Sequence, residues 1–192
     1  MLEKFLSRER AKIADKLISA RHRKGRILDI GCGEYPHFLI NIEFNEKYGI
    51  DRLVEDGVFN NKGSERIILK KCDIQRDALK SFKEGSFDVI TMLAVFEHLE
   101  PQILVGLVEE IRRLLKVNGI FILTTPTPLS NIILQALSKL KLVNSVLFEE
   151  HKGVYDAKRI SSIIMKGGFL KEDIKFGYFE LFMNSWVSVI KK

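Results

Sequence analysis

The chain has 192 residues, enough for one domain with a sizeable core. Its hydrophobic fraction of 46% beside a charged fraction of 29% excludes a disordered or fibrous protein. The net charge of +6 lies wholly within residues 1–26, where nine Lys/Arg stand against Glu3, Glu9 and Asp15; the rest carries 22 basic and 22 acidic groups.

In chain order, Leu2, Phe5, Leu6, Ile13, Leu17 and Ile18 recur at helical spacing and predict a basic amphipathic helix within residues 1–24. Its frequent charges do not suit a signal peptide. No window reaches the roughly eighteen uninterrupted apolar residues of a membrane span. The basic surplus fits a phosphate-bearing ligand, an anionic membrane surface or simply a solvated helix face.

Short apolar runs then alternate with helical patterns. "RILDI" (26–30) reads as a buried strand, "PHFLINIEF" as a helix opened by Pro36, and "KYGID" (47–51) as a second strand. A turn-rich loop, "EDGVFNNKGSE", leads to a third strand, "RIILKKCD" (66–73). A short helix, "RDALKSFKE", precedes the fourth strand, "SFDVITML" (86–93). "PQILVGLVEEIRRLLK" follows as a helix stopped by "VNG", then "IFILTT" (120–125) as the fifth strand. This alternation predicts a parallel α/β sheet with helices on both faces.

Beyond Thr125 the pattern changes. Residues 126–155 form an insert whose apolar stretch, from Leu129 to Phe148, is interrupted by Lys139 and Lys141. It has two readings, a lid buried on the sheet edge or in a dimer, and a pocket for an apolar acceptor or a membrane attachment. "DAKRISSIIMKGG" reads as a helix capped by Asp156 and ended by Gly167-Gly168. The tail holds two strand candidates separated only by Met183-Asn184, a spacing that admits an antiparallel hairpin and no parallel crossover.

The loop "DIGCGEYP" sits where open α/β sheets bind ligands, beyond the carboxyl end of the first strand. Gly31 and Gly33 permit a sharp turn and close ligand approach. A dinucleotide loop would place a third glycine where Pro36, which has no N–H, stands behind bulky Tyr35. Asp51, ending the second strand, can accept both hydroxyls of a ribose, each bond contributing on the order of 1.5–3 kcal/mol. Asp73, ending the third, can accept from a purine amine. Together these describe an adenosine site without phosphates.

"ILDIGCG", Asp51, "CDI" (72–74), "FDVITMLAVFEHL" and "LLKVNGIFILTTPTP" resemble, in order, the motifs of class I S-adenosylmethionine-dependent methyltransferases. The closest likeness is to small members with Glu-His after strand four, and it runs from about residue 24 to 128. The resemblance implies one Rossmann-like, doubly wound domain spanning 1–192, with a seven-stranded, mostly parallel sheet ending in an antiparallel hairpin. It implies S-adenosylmethionine as cofactor, with Gly31 and Gly33 at the methionine end and Asp51 at the ribose. Asp73 and Ile74 would meet the adenine, and the Leu93 and Ala94 backbone the methyl group. Asp29, Cys32 and Arg52 complete the expected cofactor set.

Methyl transfer needs mainly alignment, so a general base is optional. His98, and His151 from the late loop, are the candidates for that role or for holding the acceptor; packing behind Pro101 is the other reading of His98. Small-RNA terminal 2′-hydroxyl methyltransferases resemble the chain in their Glu-His and later His-Lys, but carry a glutamate where this chain has Ala94. No metal site is therefore expected. Cys32 and Cys72 read as small packing groups, and Tyr35 and Phe96 as either core or faces for a sulfonium. The absence of C-x-x-C and of paired histidines suits a reducing, cytoplasmic setting.

The expected activity is methyl transfer to an unidentified small-molecule acceptor, apolar or lipid-like in one reading of the insert, by a monomer or homodimer. The neutral body disfavours nucleic acid, and peripheral membrane contact stays open. Three rivals remain: a non-catalytic cofactor-binding module, a nucleic-acid methyltransferase, and an NAD(P)-dependent oxidoreductase, which Pro36 disfavours.

Overall fold

The computed structural model describes residues 2–60, 66–77, 79–130, 132, 133, 153 and 155–192, with side chains from Phe5 onward. Most of the insert from 131 to 154, His151 included, lies outside the described residues.

The strands are β1 (Arg26–Ile30), β2 (Glu46–Asp51), β3 (Gly57–Asn60), β4 (Arg66–Lys71), β5 (Phe87–Leu93), β6 (Leu115–Pro126), β7 (Ile174–Phe179) and β8 (Asn184–Ile190). They form one sheet in the order β3-β4-β2-β1-β5-β6-β8-β7. Pairing is parallel from β4 through β6, and antiparallel at β3 and at both β8 partners. The winding reverses between β1 and β5, so the crevice of this Rossmann-like fold opens beyond their carboxyl ends.

Strand alternation sorts the core into two layers. Ile27, Val89, Ile120 and Ile122 face Ala14 of α1 (Leu2–Leu17), Ile18 just beyond it, and Phe38 and Leu39 of α3 (His37–Ile40). Leu28, Ile30, Ile90 and Leu123 face α4 (Leu104–Leu114) and α5 (Ala157–Lys166). The short helix α2 (Ala20–Arg23) turns the chain into β1, and His22 Nε2 lies 3.0 Å from the Asn118 carbonyl near the amino ends of the parallel strands. Helix α1 therefore runs back along the sheet, with its N-terminus toward the carboxyl edge. Asp156 caps α5 by accepting from the Arg159 N–H at 2.7 Å, as its sequence predicts.

Several boundaries differ from expectation. The loop after β2 contains an eighth strand: Gly57–Asn60 pairs with β4 and covers that edge of the sheet. Helix α3 has only four residues, and "RDALKSFKE" yields a single 3₁₀ turn, Leu79–Ser81. Helix α4 begins at Leu104, behind an irregular turn from Pro101, and ends at Leu114, where the chain is already paired as β6. Phe87 pairs with Leu115 and Val89 with Ile120; the excess residues between them turn at Asn118, φ 63°. The C-terminal hairpin is antiparallel, but residues 180–183 connect it rather than two residues, because β8 starts at Asn184.

Candidate functional site

The loop after β1 is tied down by backbone before any ligand is considered. Gly31 and Cys32 donate their N–H groups to the Ile50 carbonyl at 2.8 and 3.2 Å. Gly31 has φ 76°, and a Cβ there would lie 2.3 Å from a Val95 methyl. Both the conformation and the space thus require glycine. Gly33, at φ 73°, donates to Asp51 Oδ2 at 2.9 Å, and Leu53 N–H donates to Asp51 Oδ1 at 2.9 Å. Asp51 is thereby aimed by two loops, and each of its oxygens keeps a lone pair for a third partner.

These loops wall a cavity of about 540 Å³ at the switch point, within the size range of small-ligand sites. Of the expected residues, Gly31, Asp51, Arg52, Asp73, Ile74 and Ala94 line it, and so does His98. Asp29, Cys32, Gly33 and Leu93 stand outside its lining, as supports or at strand ends. Ile50, Leu53, Val95 and Leu99 were not foreseen; they are apolar residues one step from the motif positions, and only the packing turns them inward. Ala94 has φ 56°, an unusual conformation for a residue with a Cβ, and its N–H donates to the Thr124 carbonyl at 2.9 Å. It forms the corner where β5 leaves the sheet at the cavity.

Two buried carboxyls stand within two residues of the lining positions Gly31 and His98. Asp29 is almost wholly buried; burial pushes its carboxyl up to about 7, opposed by a 2.6 Å hydrogen bond from Thr91 Oγ1 and reinforced by the charge of Asp51. Glu97 is also buried, and loss of hydration raises its pKa, while Thr125 Oγ1 donates to Oε2 at 3.0 Å. Burial and the same two aspartates hold the Cys32 thiol protonated, and burial likewise raises Cys72, which suits packing rather than nucleophilic chemistry.

Tyr35 and Phe96 have structural partners. Tyr35 is 58% exposed and meets Phe59 of β3 edge to face, with ring centroids 5.5 Å apart. Phe96 is buried against Tyr155, at 5.0 Å and 73°. Tyr35 thus joins the extra strand β3 and does not line the cavity.

A family model for the methyltransferase domain matches residues 2–170. Among solved structures, the chain is similar to an S-adenosylmethionine-dependent methyltransferase from Archaeoglobus fulgidus, with TM-score 0.67, 18% identity, and coverage of 98% of this chain and 94% of that one. It is similar to a counterpart from Mesorhizobium loti, with TM-score 0.66, 15% identity, and coverage of 97% and 100%. A third likeness is to Haemonchus contortus phosphoethanolamine N-methyltransferase 2 in complex with phosphomonomethylethanolamine and S-adenosylhomocysteine. There the TM-score is 0.65, the identity 16%, and coverage 96% of this chain but 53% of that one. No curated protein matches at a significant level. With the family model spanning nearly the whole chain and the structural likeness supporting the same fold, this protein belongs to the methyltransferase-domain family.

Proposed function

We propose that the chain is an active S-adenosylmethionine-dependent methyltransferase acting on a small-molecule acceptor. The observation that carries this reading is the meeting, around one cavity, of Gly31, Asp51, Asp73-Ile74 and Ala94, which come from the ends of four different strands.

The residues fit that cofactor. Asp51 Oδ1 and Oδ2, already oriented by two N–H donors, would accept the ribose hydroxyls. Asp73, whose Oδ1 accepts from Gln75 N–H at 3.1 Å, and Ile74 would frame the adenine, with Arg52 at the rim. Gly31 lets the methionine end approach the backbone, while Gly33, Cys32 and Asp29 hold the turn behind it. No cradle for a pyrophosphate is formed, because Pro36 precedes a helix of only four residues. That weighs against the oxidoreductase.

Bound S-adenosylmethionine supplies a methyl group made electrophilic by its sulfonium. The chain's part is alignment: the Leu93–Ala94 corner limits the approach of an acceptor to the open side of the cavity. Ordering the reactants in this way contributes on the order of 7–11 kcal/mol in favourable cases. His98 lines the same cavity and is the described residue suited to receive the acceptor's proton. His151, the other candidate, keeps that role as part of the proposal.

The test has two parts. Calorimetry with S-adenosylhomocysteine and with NAD separates the cofactor classes; binding of NAD alone overturns the reading. Transfer of a radiolabelled methyl group into a lipid and metabolite extract then separates an enzyme from a binding module. In that assay His98→Asn should lower turnover while leaving homocysteine-form affinity within about threefold.

A further inference from the structure

The turn joining β7 to β8 is built against its own backbone preference. Glu180, Leu181 and Phe182 have φ values of 50°, 53° and 67°, three successive non-glycine residues in the left-handed region. The strain presents two large apolar side chains to solvent: Leu181 is 89% exposed and Phe182 62%. Thr127 anchors this tip, its N–H donating to the Met183 carbonyl at 2.9 Å and its Oγ1 to the Phe182 carbonyl at 2.7 Å. Leu129 and Ile132, next along the chain from that anchor, are also exposed, the latter 65%.

The N-terminus of α1 reaches the same edge. Burial raises the pKa of the Glu180 carboxyl, and Arg10 and Glu9 of α1 lie close enough for their charges to oppose and reinforce that shift, respectively; Phe5, one turn before Glu9, is 56% exposed. Phe5, Arg8 and Lys12 share one exposed stripe of the helix. Within α1, Lys4, Arg8, Arg10, Lys12 and Lys16 outnumber Glu3, Glu9 and Asp15, whereas Arg21, Arg23, Lys24 and Arg26 lie toward the amino ends of the strands and the remainder of the chain is neutral. Exposed apolar groups beside this basic helix are complementary to a surface that is apolar beneath and anionic above.

We propose that this carboxyl edge, led by Leu181 and Phe182, docks on an anionic lipid bilayer, with Arg8 and Lys12 of α1 toward the headgroups. The cavity opens along the same edge of the sheet, so docking would bring it to the membrane. That an acceptor is drawn from the bilayer rests on the methyl-transfer reading; the docking itself does not.

Co-sedimentation tests it directly, using vesicles of phosphatidylcholine alone and of phosphatidylcholine with an equal amount of phosphatidylglycerol. The protein should partition at least about tenfold more strongly onto the anionic vesicles at low ionic strength, and salt should weaken this. Leu181→Asp with Phe182→Asp should abolish partitioning, and Arg8→Glu should reduce it. Val117→Asp, exposed at the opposite end of β6, should leave it unchanged. Circular dichroism and S-adenosylhomocysteine calorimetry on each variant report folding and the donor site separately. A protein that binds the homocysteine form but no vesicles overturns the docking alone; one that binds vesicles but not the homocysteine form overturns the methyltransferase reading alone. Partitioning that survives the tip variant, or that falls equally with Val117→Asp, refutes the surface. So does a tip variant that converts a dimer into a monomer without any vesicle binding.

Discussion

Gly33 donates its backbone N–H to Asp51 at 2.9 Å, linking the turn after β1 to the end of β2 through the side chain proposed to hold the ribose. One carboxylate therefore shapes its loop while keeping lone pairs free for a further partner. If Asp51 holds the ribose, loss of its side chain acts on stability and binding together.

Asp51→Ala should remove both consequences together. Two N–H groups lose a charged acceptor, so the apoprotein should lose about 1–3 kcal/mol in urea denaturation. Affinity for S-adenosylhomocysteine, read by calorimetry, should fall by more than about 100-fold, in keeping with two lost charged hydrogen bonds. A folded variant with unchanged affinity would show that Asp51 does not hold the ribose.

Two glycines should respond oppositely to alanine. Gly31→Ala meets both φ 76° and a methyl of Val95 at 2.3 Å, and should destabilise by about 2 kcal/mol or more. Adding Val95→Ala should restore the steric part but not the conformational part. Gly106→Ala, in the exposed face of α4 with nothing within 4 Å of the new Cβ, should stabilise by about 0.5–1 kcal/mol. Equal signs for the two would contradict the described turn.

Asp29 makes stability depend on pH with a definite sign. Burial raises its folded pKa to about 7, well above the ordinary carboxylate range. Below the unfolded value both states carry the proton and its contribution is complete; as pH rises toward the folded value the unfolded state gains from ionising, and stability is lost. Asp29→Asn should therefore match the parent near pH ~4 and exceed it above pH ~7, by on the order of 2–4 kcal/mol. Denaturation curves across that window check it, and a difference independent of pH contradicts it.

Tyr35→Ala should cost about 0.5–1.5 kcal/mol through loss of the edge-to-face contact with Phe59. Affinity for S-adenosylhomocysteine should stay within about twofold, because the ring does not line the cavity. A large affinity loss at unchanged stability would return Tyr35 to the binding site.

The succession of the parallel strands along the chain, the two-faced sheet and the late helix were legible in the sequence, since alternating apolar runs, Asp156 and Gly167 act over a few residues. Gly31, Asp51 and Asp73 were legible for a similar reason: the turn after a buried strand must fall where a doubly wound sheet binds ligands. Pairing partners were less so. "GVFN" carries too weak a strand pattern to announce itself, and it becomes β3 only because the β4 edge offers unpaired N–H and C=O groups. Tyr35 then gains a partner, Phe59, that lies 24 residues along the chain but 5.5 Å away in space. Local chemistry determined the parallel strands, the late helix and the glycine turns. Tertiary structure decided which apolar neighbours enter the cavity, how far Asp29 and Glu97 are dehydrated, and which hydrophobic side chains stay in water, because each depends on contacts between distant parts of the chain.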